Sequence, residues 1–259
     1  MKRARRFMTW LRKLLKDRCK ELMGHAALPQ KTVTEIGEMV ALYSGHRAEF
    51  AKLAKRVEND LVEHEELRPL IHSTKQREKD PLHLHDKLER KAIEALESKK
   101  PFTITQKNLF KRIGDLAGVR LLHIHADQLS TIHPTIVKIL EFHKYKFREK
   151  PLVYIWDLER KEFLTKLGLD VKIRPKMYTS VHYVVEPFWA DWACEIQVRT
   201  LAEELWGEVS HTINYPHATD SIACTEQLAV LARVASGCTR LVDSIFASLS
   251  EHKTKHVGK

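Results

Sequence analysis

Two short segments, Ser180–Val185 and Trp192–Arg199, alternate apolar and polar residues so regularly that each reads as a strand with two chemically different faces. Val181, Tyr183 and Val185 share one side of the first, with Ser180 and His182 on the other. In the second, Trp192, Cys194, Ile196 and Val198 oppose Glu195, Gln197 and Arg199. A solvated face also alternates, so periodicity alone leaves both readings open. Composition points further: the polar sides together offer an acid, an amide, a cation and an imidazole, the groups that handle phosphate and metal ions.

Around these strands the period is helical. Thr32–Glu66 is a long helical pattern with Thr32 or Thr34 as its N-cap, Leu82–Leu96 is a second, and the segment from Ile71 up to it is polar and basic. The period then switches: Gly118–Ile124 reads as a strand, Gln128–His143 as a helix, and Leu152–Trp156 and Asp170–Arg174 as further strands. Thr200 starts a helix through Leu205 and Trp206, with Trp206 expected to pack it onto the sheet, and Cys224–Leu249 forms a long closing helix. A strand-rich centre enclosed by helices at both ends is an α+β, or mixed α/β, architecture. The division expected is an arm at 1–31, a central domain at 32–218 and a closing helix with a basic tail at 219–259.

Charge is distributed unevenly. Of the net +10, eight charges belong to residues 1–20, where nine Lys and Arg face the single acid Asp17. A nucleic-acid-binding surface spread over the domain would not leave the remainder nearly neutral. Within the arm, Phe7, Leu11, Leu14, Leu15 and Leu22 recur at helical spacing among cations, the pattern of a basic amphipathic helix. Arg12 and Lys13 interrupt its apolar stretch too early for a signal core or a membrane span. Cys19, Cys194, Cys224 and Cys238 show no paired spacing, which fits a reducing, cytoplasmic setting.

A third chemical segment is Gly114-Asp115-Leu116-Ala117-Gly118-Val119-Arg120, an acid before a strand and between glycines that permit close backbone approach. Such an Asp commonly satisfies a turn. Alternatively, Asp115 and Glu195 form the pair of carboxylates by which magnesium is usually held beside phosphates.

These segments, taken in order, carry a resemblance. Asp115-Leu-Ala-Gly-Val-Arg120, Tyr178-Thr-Ser180-Val-His182, Glu195-Ile-Gln197-Val-Arg199-Thr200 and the stretch from Glu204 through Trp206 and His211 to Tyr215 resemble successive motifs of the RelA/SpoT synthetase family. The polar run from Ser73 through Arg77, Lys79, His83 and Lys87 to Lys91 is similar to that family's basic first motif. Five motifs in register from about Leu70 to Tyr215 are far more specific than any one of them.

The resemblance implies a nucleotidyltransferase-like mixed sheet and a magnesium-dependent transfer of diphosphate from ATP to the 3′-hydroxyl of GDP or GTP, the synthesis of (p)ppGpp alarmones. Asp115 would hold Mg2+ and Glu195 would assist the metal or take the acceptor's proton. Arg77 and Lys79 would meet ATP, with Lys87, Lys107 and Arg120 as further phosphate contacts. Tyr178 would stack on the acceptor guanine, while Lys176, His182, Gln197 and Arg199 would position the acceptor nucleotide. For Arg120 and Arg199, pairing with nearby acids is an equal alternative.

Met177 stands where the family usually has glycine before the stacking tyrosine, which bears on acceptor preference. Larger relatives add a hydrolase with a His-Asp metal site. Here the one comparable run, His83-Leu-His85-Asp86, lies inside a helical pattern, so the resemblance implies a small alarmone synthetase without that domain, acting as a homo-oligomer. Two other readings are a pyrophosphokinase acting on the 3′-CCA end of tRNA, with the basic arm as contact, and a non-catalytic nucleotide-sensing module.

Overall fold

A computed structural model describes residues 28–174, 177–214 and 218–257. The arm at 1–27, together with Lys176 and Tyr215, lies outside the described residues. Contacts divide the described residues into two compact units: 28–48 with Asp80–Arg112, and Glu49–Lys79 with those from Ile113 onward.

In the first unit, Ile36, Met39, Val40 and Tyr43 are buried at three- and four-residue steps along helix α1 (Gln30–Val62). Helix α2 (Pro81–Glu97) buries Leu84, Leu88 and Ala92, and its first turn is capped by Asp80, whose carboxylate accepts from the Leu82 amide at 2.8 Å. The short helix α3 (Leu109–Arg112) follows. Helix α1 begins before both threonines expected to cap it: Thr34 Oγ1 donates back to the Gln30 carbonyl at 3.0 Å, so this threonine lies inside the helix.

The second unit is built on a seven-stranded mixed sheet. Its strands are β1 (Ser73–Glu78), β2 (Ala117–His123), β3 (Lys146–Phe147), β4 (Leu152–Ile155), β5 (Asp170–Ile173), β6 (Ser180–Glu186) and β7 (Cys194–Thr200). The order is β1-β2-β7-β6-β4-β5, with β3 paired to β6. Pairs β2/β7 and β4/β5 are parallel, and the others antiparallel. Helices α4 (Leu129–Phe142), α5 (Lys161–Lys166), α6 (Leu201–Asn214) and α7 (Ile222–Val257) complete it.

Strand β2 is buried at every position except Arg120, as a strand near the middle of a covered sheet should be. Strand β1 has no apolar residue and was not foreseen. It is held by register with β2 and by Glu58 of α1, which accepts hydrogen bonds from Thr74 and Gln76 on the strand's other side. Trp192, expected inside β7, precedes it and stacks on Phe50 at 4.9 Å.

The junction of β7 with α6 is abrupt. Thr200 and Glu203 form a reciprocal pair, the Thr200 amide donating to Glu203 Oε2 at 2.7 Å and the Glu203 amide to Thr200 Oγ1 at 3.2 Å. Burial pushes the Glu203 carboxyl up from its ordinary value, against the opposing effect of these bonds. This cap starts the helix directly at the strand end, within reach of the sheet's polar face. Trp206 joins α6 to α7 as well as to the strand ends: its indole donates to the Leu228 carbonyl at 3.0 Å, and it clusters with Ala232 and Ala235, against which Trp156 and Tyr178 also pack.

On the opposite face, His123 is 3% exposed and its Nδ1–H donates to the His125 carbonyl at 3.0 Å. Burial pushes its pKa down to about 4. The unfolded chain therefore takes up a proton that the fold refuses, and this contribution to stability is complete above about pH 6.5 and declines toward pH 4. Urea melts should lose about 2 kcal/mol of stability on this account between pH 7 and 5. His123→Gln should flatten that part of the profile, and an unchanged slope would refute the assignment.

Candidate active site

Register aligns the polar residues in rows across the sheet. One row runs Arg77, Gly118, Glu195, Val184, and the next runs Lys75, Arg120, Gln197, His182. Gly118 matters because a Cβ there would lie 3.3 Å from Arg77 Cγ, so its bareness lets the Arg77 side chain cross the strand toward Glu195. Lys75, Arg77, Gly118, Arg120, Glu195 and Gln197 line an open cleft of about 940 Å³ between the sheet face and helices α6 and α7.

Within it five side chains close a ring of hydrogen bonds. Arg199 Nη2 donates to the Tyr178 hydroxyl at 2.8 Å, and that hydroxyl lies 3.0 Å from His182 Nε2. His182 Nδ1 lies 3.0 Å from Glu195 Oε1, Gln197 Nε2 donates to Glu195 Oε2 at 2.7 Å, and Arg199 Nη2 also donates to Gln197 Oε1 at 2.8 Å. One proton arrangement satisfies the circuit: Tyr178 donates to Nε2, and His182 donates from Nδ1 to the carboxylate. Burial favours the neutral form of Glu195. The hydrogen bond from His182, with the Arg77 guanidinium, outweighs both burial and the opposing charge of Asp115, and the net shift is downward.

Asp115, just before β2, accepts from Lys79 Nζ at 2.6 Å and is close enough to Glu195 for its charge to be felt there. Asp115 and Glu195 are two carboxylates near enough to feel each other's charge, and oxygen donors of this kind suit a divalent cation. Such an ion would take over the neutralising role of the Lys79 ammonium.

Three further acids and cations enter from elements far apart in sequence. Glu204, 6% exposed on α6, accepts from Lys75 at 2.8 Å, Arg120 at 2.6 Å and Arg199 at 3.3 Å, thereby tying strands β1, β2 and β7 together. Glu208, one turn later, also accepts from Arg120 at 2.6 Å. Burial alone would raise the Glu204 pKa, but the bonds from Lys75 and Arg120 hold it below the ordinary value. Gly207 makes room for this cluster, since a Cβ there would fall 2.7 Å from Arg199 Nη1.

The structure thus gathers Arg77, Arg120, Tyr178, His182, Glu195, Gln197 and Arg199 on one side of the sheet of the second unit, with the Lys79–Asp115 pair near enough for the Asp115 charge to reach Glu195. Lys87 on α2 and Lys107 before α3 belong to the first unit. Lys75, Glu204 and Glu208 were not singled out from sequence, although alternation of Lys75 with Arg77 was a signal for the first. Met177 adopts a left-handed backbone at φ 57°, the conformation glycine takes most readily, and its side chain packs against the Trp206 cluster. On α2, His85, Asp86 and Glu89 each place a ligand atom within 4.8 Å of the others, all on one helix.

Residues 76–220 match the family described as the region found in RelA / SpoT proteins, which is more than half of the chain. The chain belongs to the RelA/SpoT family. No curated protein matches it. Among solved structures, a GTP pyrophosphokinase family protein from Streptococcus pneumoniae is similar over 83% of this chain and 95% of its own, with 20% identity and a TM-score of 0.55. The small alarmone synthetase 1 of Bacillus subtilis bound to its product pppGpp is similar over 80% and 93%, at 19% identity and TM-score 0.50. These likenesses establish the mixed RelA/SpoT fold. Among the described residues, no helix is long and apolar enough to cross a membrane.

Proposed function

We propose that this RelA/SpoT protein transfers diphosphate from ATP to the 3′-hydroxyl of GDP or GTP. The observation that carries the reading is Glu195 held by His182 and Gln197 in a closed ring, with Asp115 beside it and Arg77 laid over Gly118. Transfer of this kind depends on alignment and neutralised charge more than on covalent catalysis.

Asp115 and Glu195 would hold Mg2+, which when bound would supply positive charge to offset that of the phosphates. Arg77 and Lys79 would receive the ATP phosphates. Tyr178, anchored through its hydroxyl to Arg199 and His182, would present a fixed ring to the acceptor guanine.

The test is incubation with γ-labelled ATP and either GDP, GTP or deacylated tRNA, followed by separation of products. The reading requires label in a guanosine tetra- or pentaphosphate with equimolar AMP. Label in tRNA alone, or ADP as the partner product, would overturn it.

Tyr178→Ala should raise the acceptor KM roughly 10- to 100-fold with little change for ATP, since one base stack contributes about 1–3 kcal/mol. Tyr178→Phe, which keeps the ring, should lose much less. Equal losses on both substrates would contradict stacking on the acceptor.

A further inference from the structure

Glu204 and Glu208 occupy one side of α6, four residues apart, and converge on the same atom, Arg120 Nη1, each at 2.6 Å. They are not equivalent. The Glu204 side chain is 8% exposed and also binds Lys75 and Arg199, whereas the Glu208 side chain is 54% exposed and lies 3.7 Å from Lys75. Arg120 already has a buried partner in Glu204, so Glu208 adds a second negative charge at an already occupied guanidinium. Lys75, Arg120 and Glu208 all line the open cleft.

An anion that sits between an ammonium and a guanidinium, in a cleft open to solvent, has the surroundings of a bound phosphate oxygen. We propose that Glu208 is an internal surrogate for a substrate phosphate, balancing Lys75 and Arg120 until the polyphosphate of an incoming nucleotide displaces it. The inference rests on the nucleotide-binding reading of this cleft. Half-exposed ion pairs of this kind are weak and readily exchanged, whereas the buried Glu204 stays to keep Arg120 in place. Glu208 thus lowers affinity for every polyphosphate and leaves uncharged ligands unaffected. It is a residue that sets specificity by charge and takes no part in the chemistry.

Calorimetric titrations of wild type and Glu208→Gln would use inorganic tripolyphosphate, a non-hydrolysable ATP analogue, GDP and adenosine. The variant should bind tripolyphosphate and the nucleotides roughly three- to tenfold more tightly, with a gain that shrinks as salt rises. Adenosine binding and the melting temperature should not move. Unchanged or weaker tripolyphosphate binding by Glu208→Gln overturns the proposal. Wild-type protein that binds tripolyphosphate but no nucleotide would instead remove the pyrophosphokinase reading, and the effect of the variant on tripolyphosphate would still decide the role of Glu208.

Discussion

Asp115→Asn and Glu195→Gln are each expected to reduce diphosphate transfer by roughly 10²–10³-fold or more, because each removes one charge at a preorganised electrostatic site while keeping the side chain's shape. For Glu195→Gln the amide can still accept from either His182 or Gln197, so the ring should loosen without the sheet coming apart. For Asp115→Asn the Lys79 ammonium loses a charged partner, and a clear drop in melting temperature is expected because that pair is largely buried. Steady-state assay of both variants beside circular dichroism separates catalysis from folding. Near-normal turnover in either would remove that residue from the mechanism.

The largest effect on stability is expected at Glu204. Replacing it with Gln leaves Lys75, Arg120 and Arg199 gathered around a neutral group, and breaking a buried ion pair on one side costs about 3–5 kcal/mol. Lys75 is half-exposed and Arg120 keeps Glu208, so the loss should fall near the lower figure, about 3 kcal/mol. The same contact predicts a pH response. The folded-state pKa of Glu204 lies below its ordinary 4.5, so its contribution is complete above that value and is lost as pH falls through the lower, folded-state pKa. Denaturant melts of Glu204→Gln should therefore differ most from wild type at neutral pH and converge in acid. A variant as stable as wild type at pH 7 would show that the three strands do not depend on this carboxylate.

The readable parts of the fold were those with a clear period. Strands β6 and β7 and the placing of His182, Glu195, Gln197 and Arg199 on one face followed from alternation, and the register then set His182 opposite Gln197. Strand β1 left no such trace, because Ser-Thr-Lys-Gln-Arg-Glu contains no apolar residue and its pairing is imposed by β2 and Glu58. The Glu204 cluster was equally hidden: Lys75 is 129 residues away in the chain, and only the capped turn at Thr200 and Glu203 brings them together. Trp206 also reaches α7 because its indole donor needed a carbonyl, which Leu228 supplies. Arg120 and Arg199, balanced between phosphate contact and structural pairing, are both paired with acids here.

The account depends most directly on Asp115 and Glu195 acting on one cation, and electron paramagnetic resonance of bound Mn2+ in the presence of a non-hydrolysable ATP analogue measures this. One tightly bound ion per chain is expected in wild type, greatly weakened in Asp115→Asn and in Glu195→Gln alike. Undiminished binding in both variants would contradict a shared metal site at these residues.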